Sequence, residues 1–360
     1  MIRAAVLTSV DSPLVIEKIE LPAPEAGEVH VRLAAAGVCH SDLSLANGTL
    51  PQAVPAVLGH EAAGTVVTVG PDVTNVEPGA KVLLNWSPSC GRCWFCLHSE
   101  PYLCEQTPKA WRRRYARRAD GTALYAGLGV AGFGEETIVP SSALVPLPIN
   151  VNLERAALLG CAMLTGIGAV TNSARVQPGE SVVVFGTGGV GLSVLQGARL
   201  AGAEVVIAVD IAADKEALAR LNGATDFILG GDQVVKSVWE RTGGRGADHA
   251  FEAAGSAATI HQAWSSTRRG GRTTVIGIGA KDEKVQFDPQ EIFYFGRTLT
   301  GCVFGSSDVE RDLPVLLEHM QAGRIRPEEL VTNRIGLEDV PDALALMSAR
   351  KGGRSLIVYD

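Results

Sequence analysis

SVVVFGTGGVGL, residues 181–192, decides the fold of this 360-residue chain. Val182 to Phe185 are apolar without alternation. A strand of that kind needs cover on both faces, as in a parallel sheet flanked by helices. Glycines follow at 186, 188, 189 and 191, and residues 190–200 carry helical spacing. Gly186 permits a tight turn, Gly188 lets backbone N–H groups approach a pyrophosphate, and Gly191 lets helix and strand pack closely. Gly189 and Val190 complete the loop, and the helix N-terminus that it opens favours phosphate. A lone G-x-G-x-x-G is weak evidence, but between a strand and a helix it is a dinucleotide fingerprint.

Downstream, strand and helix keep alternating. A second apolar strand over 204–209 ends at Asp210, 24 residues after Gly186. An acidic side chain there accepts hydrogen bonds from the adenosine ribose and repels an extra phosphate, which predicts NAD; Asp210 as a helix cap is the bland alternative. Lys215 is placed to reach the same ribose. Helices over 215–221, 234–241 and 259–267 and strands at 227–228, 250–252 and 272–276 complete an α/β, doubly wound parallel sheet of Rossmann type. The first half reads differently. Short β-branched runs at 29–33, 64–69 and 81–85, broken by Gly, Pro and Asn, predict a turn-rich antiparallel domain. Helices and a closing strand over 355–359 follow from about residue 304.

Lys and Arg total 32 against 39 Asp and Glu, a net charge of −7, which argues against general nucleic-acid affinity. With 46% hydrophobic and 20% charged residues the chain suits a soluble protein with a large core. No apolar run reaches the roughly 18–20 residues of a membrane span. The N-terminus lacks a signal-like apolar stretch, so cytoplasm is the expected location.

The seven cysteines are an odd number, and a disulfide framework explains them poorly in a reducing compartment. Cys90, Cys93, Cys96 and Cys104 fall within one short stretch. Four thiolates spaced x2, x2 and x7 can fold around one tetrahedral zinc with no open position, so this site is expected to be structural. Cys39, His60 and Cys161 are dispersed. Two thiolates and an imidazole would leave a fourth position on zinc for water or substrate, although each residue alone also suits a core. Asp42 is placed either to orient His60 through its far ring N–H or to cap a short turn. Glu61 either sits behind the metal or forms a local ion pair. The run WRRRYARR, residues 111–118, reads as a solvated face or as a rim attracting an anionic substrate or cofactor phosphate.

GVCHSD (37–42), LGHEAAGTV (58–66), the four-cysteine lobe, GTGGVGL (186–192), VD (209–210) and GGRSLIV (352–358) occur in an order that resembles the zinc-dependent, NAD-linked alcohol dehydrogenases of the medium-chain dehydrogenase/reductase superfamily. The resemblance covers nearly the whole chain. It implies a β-rich GroES-like catalytic domain over 1–162 and 304–360, with a structural-zinc lobe at about 86–110, and an NAD-binding domain over 163–303. It implies two zinc ions, a catalytic one on Cys39, His60 and Cys161 and a structural one on the four clustered cysteines. Ser41 matches the hydroxyl that hydrogen-bonds the reacting alcohol and passes its proton to the cofactor ribose. His40 and Arg354 match residues that meet the phosphates, and Thr165, Val190, Ile276 and Ile278 match the surroundings of the nicotinamide. Leu50, Trp86, Ile278 and Val303 match the substrate pocket. The implied reaction is reversible oxidation of a primary alcohol, aromatic or allylic in preference, by a homodimer or homotetramer, with residues 299–304 able to pair across a two-fold axis. Departures exist. Ser44 stands where liver-type enzymes have a proton-relay histidine. Leu50 and Pro108 stand where the glutathione-dependent formaldehyde branch has an acidic residue and an arginine. Three other readings remain open: a nicotinoprotein with tightly held NAD and an external acceptor, a formaldehyde dehydrogenase acting on a thiol adduct, and a zinc-free reductase of the same superfamily.

Overall fold

The computed structural model describes residues 1–349 and 354–360, without the side chain of Ala110. Gly352 and Gly353 of the GGRSLIV stretch lie outside the described residues. Two compact units form: Met1–Cys161, Asp308–Arg311 and Val331–Asp360 make the first, and Ala162–Ser307 with Asp312–Leu330 the second.

In the first unit, one sheet orders Val15–Ile19, Ile2–Leu7, Ala56–Val57, Ala123–Ala126 and Arg114–Arg117. The other orders Leu144–Pro146, Lys81–Leu84, Glu61–Val69, Glu28–Gly37, Arg354–Val358 and Val331–Ile335, with Glu136–Pro140 also on Glu28–Gly37. Pairing is antiparallel except at two places, Ala56–Val57 with Ala123–Ala126 and Val331–Ile335 with Arg354–Val358. Strand Glu28–Gly37 shows why the sequence folds this way: Val29, Val31 and Leu33 alternate inward and are buried. They join Leu7, Ile19, Phe133 and Tyr115 in one core.

In the second unit, six parallel strands run in the order Asp226–Leu229, Val205–Asp210, Ser181–Phe185, Ala247–Glu252, Thr267–Val275 and Thr298–Gly301. That is the dinucleotide-binding order, with its direction switching beside Ser181–Phe185. Val182, Val183 and Val184 are fully buried, each contributing about 1.5–3 kcal/mol of burial. A Cβ on Gly191 would collide with the Gly186 carbonyl, so helix Gly189–Leu200 lies against its strand only because residue 191 is glycine. The second unit extends further than the sequence suggested. Asp312–Leu330, expected with the catalytic domain from residue 304 onward, belongs here. Gln196 on helix Gly189–Leu200 bonds both the Arg326 carbonyl and the Arg326 N–H, and Asn222 bonds the Glu329 carbonyl. Among the described residues no single helix is long and apolar enough to cross a membrane.

Candidate active site and metal centres

Strand Glu28–Gly37 runs into Cys39, which sits at the N-terminus of helix His40–Ala46. Gly37 is the register partner of Glu61, so pairing alone brings His60 and Glu61 beside Cys39. A side chain at Gly37 would strike the Glu61 carboxylate and Arg354. Cys161 follows the turn Leu158–Gly160, and its φ of −145° and ψ of −70° are not helical. The ligand atoms of Cys39, His60, Glu61 and Cys161 lie within 4.8 Å of one another, and all four residues are buried.

Asp42 reaches both His60 and the start of its own helix. Its Oδ1 lies 2.9 Å from His60 Nδ1 and accepts from Gly59 N at 3.0 Å, while Oδ2 accepts from Cys39 N at 3.0 Å. His60 therefore presents Nε2, which is buried and has no protein partner. Glu61 Oε1 is likewise buried and unpartnered, while Oε2 pairs with Arg354. Two orphaned polar atoms beside two thiols are what a soft divalent cation would satisfy. Burial, opposed by Arg354, brings the Glu61 carboxyl up to about 7. A hydrogen bond with Cys161 holds the Cys39 thiol well below its usual range, against burial. For His60, burial favours the neutral ring, but Asp42 prevails and the pKa rises. Arg354, matched to the cofactor phosphates by resemblance, is buried and engaged with Glu61. Ser41 is half-buried with its Oγ 3.9 Å from Cys39 Sγ. His40 is exposed and Ser44 buried.

Trp86 meets the His60 ring edge-on at 6.1 Å. Trp111 lies 5.9 Å from Trp86, tilted by 33°, and its Nε1 donates to the Trp86 carbonyl at 3.0 Å. Leu50 packs on the same core. Trp111 was not singled out from sequence, because it heads a run dominated by charge. Within that run Arg113 bonds Glu28 and Arg118 grips Glu17 with two nitrogens, while Arg112, Arg114 and Arg117 are exposed.

The second cysteine set is local. Four sulfurs 2.3 Å from a common tetrahedral centre stand about 3.8 Å apart. Cys93 lies 3.5 Å from Cys96 and 4.0 Å from Cys104, and Cys90 lies 4.0 Å from Cys96. Backbone N–H groups of Cys90, Cys93 and Gln106 point at these sulfurs, as thiolates require.

In the second unit, Gly186 has φ +91°, a conformation suited to glycine, and a Cβ on Gly188 would meet nothing. Asp210 is buried, and its Oδ2 accepts from Thr187 N at 2.8 Å, Thr187 Oγ1 at 2.6 Å and Lys215 Nζ at 3.4 Å. Its Oδ1 also accepts from Ala212 N, the local capping weighed above. Burial opposes ionisation of Asp210, but the Thr187 bonds win and its pKa is lowered. The tie to Thr187, inside the glycine loop, was invisible in sequence. Thr165 is buried, and Val190 and Ile276 are half-buried. Ile278 and Val303, expected in the substrate pocket, are 43% and 51% exposed.

A buried Cys–His–Cys–Glu centre, a four-sulfur lobe and a dinucleotide sheet define a zinc-binding, nicotinamide-linked dehydrogenase. Residues 25–149 match the alcohol dehydrogenase GroES-like domain and residues 189–321 the zinc-binding dehydrogenase domain. The chain is 38% identical to an S-(hydroxymethyl)glutathione dehydrogenase of Synechocystis, over 99% of both chains. It is similar to the crystal structure of an alcohol dehydrogenase zinc-binding domain protein from Burkholderia ambifaria (TM-score 0.93, 33% identity, 100% of this chain and 99% of that one). It is also similar to benzyl alcohol dehydrogenase from Acinetobacter calcoaceticus (TM-score 0.91, 29% identity, the same coverage). The chain belongs to the zinc-dependent alcohol dehydrogenase family of the medium-chain dehydrogenase/reductase superfamily.

Proposed function

We propose that the protein interconverts primary alcohols and aldehydes with NAD, aryl and allyl carbinols foremost. The observation that carries this is the buried quartet of Cys39, His60, Glu61 and Cys161 with Trp86 edge-on to its histidine. Bound zinc would supply the Lewis acidity that favours an ionised alcohol oxygen, and NAD would accept the hydride. Cys39, His60 and Cys161 would hold the ion, with Asp42 engaging His60 Nδ1 and leaving Nε2 as the available ring nitrogen. Ser41 would take the alcohol proton at Oγ; Ser44, being buried, offers no outward path. Thr165, Val190, Ile276 and Ile278 pack the nicotinamide, and Asp210 with Lys215 receives the adenosine ribose. The tilted Trp86–Trp111 pair, with Leu50, suits an aromatic or allylic body. Two copies associate through the edge strand Thr298–Gly301, whose Leu299 is 43% exposed, giving a homodimer or homotetramer. Thiols free of disulfides fit work in the cytoplasm.

A second reading has a specific observation in its favour: the relative from Synechocystis is named for S-(hydroxymethyl)glutathione. Leu50 and Pro108 disfavour that adduct. The test is one panel on zinc-loaded protein with NAD, comparing benzyl alcohol, cinnamyl alcohol, hexanol and S-(hydroxymethyl)glutathione. We expect kcat/KM at least tenfold higher for the aryl and allyl alcohols than for the glutathione adduct. Preference for the adduct would replace this reading with the second, and no turnover of any alcohol would remove both.

A further inference from the structure

Glu252 ends the parallel strand beside Ser181–Phe185 and is the register partner of Phe185, the residue before the glycine loop. The Ala253 N–H donates to the Phe185 carbonyl at 2.8 Å, and a Cβ on Gly186 would stand 3.0 Å from Ala254 N. The turn after Glu252 thus lies side by side with the first glycine of the phosphate loop, at the strand ends where such sheets bind dinucleotides.

The Glu252 side chain is fully buried. Its Oε1 accepts from Ala254 N at 2.9 Å, Gly255 N at 2.7 Å and Thr259 Oγ1 at 2.7 Å. Its main-chain carbonyl accepts from Ile276 N at 2.8 Å and Gly277 N at 3.0 Å. One residue therefore holds the turn after its own strand, the first turn of helix Ala257–Ser266 and the segment leaving strand Thr267–Val275. Oε2 is buried and has no partner. A Cβ at 277 would strike Gly255 N and come within 2.8 Å of this oxygen. A Cβ on Gly255 would in turn crowd the Ile278 carbonyl, so the two turns touch. Among the described residues no cationic side chain is paired with Glu252. A buried carboxyl without a counter-ion is costly and has to be retained by what it organises.

We propose that Glu252 is a positioning residue for the cofactor: its carboxyl locks the turns at 253–256 and 276–278 into one floor for the dinucleotide, and its loss weakens NAD binding while leaving the metal centres intact. The inference rests on the crevice taking NAD(H), which the wild-type arm checks separately, since wild-type protein that failed to bind NADH would overturn that reading itself. Gln keeps an acceptor at Oε1 for the three donors, whereas Ala keeps none.

The experiment is NADH titration by fluorescence on the zinc-loaded full chain, with zinc content and melting temperature measured on the same samples. Glu252→Ala is expected to raise the NADH Kd at least tenfold with two zinc ions retained. Glu252→Gln is expected to stay within about threefold of wild type, at about 1.4 kcal/mol per tenfold change. Should Glu252→Ala fail to fold, Thr259→Val, which removes a single donor, is expected to raise Kd about threefold, and Gly277→Ala, which forces the turns apart, tenfold. Wild-type affinity in Glu252→Ala, or in both Thr259→Val and Gly277→Ala, overturns the proposal. So does a Gln variant as weak as the Ala variant.

Discussion

The two cysteine centres of the first unit are built by opposite means. Cys90, Cys93, Cys96 and Cys104 come from one loop, three of them half-buried, and their sulfurs are organised by that loop's own N–H groups. Cys39, His60, Glu61 and Cys161 come from two strand ends and a broken helix, are all buried, and lean on Asp42 and Arg354. The first is a closed shell of equal donors, suited to hold a fold. The second has unequal donors and two orphaned polar atoms, suited to hold a reactant.

Removing one sulfur from each is the strongest way to break this contrast. Cys161→Ser is expected to lose one of two zinc ions and lower kcat/KM on the order of 10³-fold or more, with melting shifted by only a few degrees. Cys104→Ser is expected to lose the other ion and melt roughly 10 °C lower, because a structural metal contributes folding energy directly. Zinc content by atomic absorption and thermal melting would decide it. If Cys104→Ser lost turnover with its melting unchanged, the two centres would not differ in kind.

A finer test concerns the buried scaffold that only the dispersed centre has. Asp42→Asn keeps the shape of the carboxylate but weakens its hold on His60 Nδ1 and on the Cys39 N–H. The expected loss is about 10–100-fold in affinity for zinc at the centre of Cys39, His60 and Cys161, with the four-sulfur ion untouched. Competition against a chromophoric chelator measures both ions in one titration. Equal weakening of the two would show Asp42 acting on the whole unit and not on its histidine.

The same contrast explains what could be read from sequence. The four-cysteine lobe was legible because its geometry lies within one short loop. The strands around 181–185 were legible because fully buried strands are solid apolar runs. Cys39 and His60 gained meaning only through resemblance, since the register that joins them, Gly37 against Glu61, is set by sheet pairing. The Glu61–Arg354 pair joins distant parts of the chain, and nothing local to either residue announces it. Trp111 was hidden by its charged neighbours. Thr187 was hidden because neither the ribose nor the capping reading of Asp210 points to the glycine loop that its carboxylate also clamps. The boundary near residue 304 was missed because Gln196 and Asn222 hold Asp312–Leu330 through side-chain bonds that no periodicity encodes.

A polar cluster without soft donors sharpens the comparison from the other side, with the smallest expected effect on turnover. Asp248 accepts from Ser181 N at 2.8 Å and Ser181 Oγ at 2.6 Å, and pairs with Arg268 at 2.5 Å. Burial pushes its pKa upward, but the Ser181 and Arg268 interactions win and hold it at about 2, from an ordinary 3.8. The folded pKa lies below the unfolded one, so the unfolded chain binds this proton more readily. The resulting stability, about 1 kcal/mol once solvent screening of this partly exposed pair is counted, is complete at neutral pH and is lost as pH falls from about 4 toward 2. Asp248→Asn should therefore be about 1 kcal/mol less stable at pH 7, with the gap to wild type narrowing by pH 3, and with kcat/KM unchanged. Urea unfolding at the two pH values measures the gap. A gap independent of pH would show that the Asp248 contacts act by shape and not by charge, and a fall in kcat/KM would mean that this end of the sheet shares in the chemistry after all.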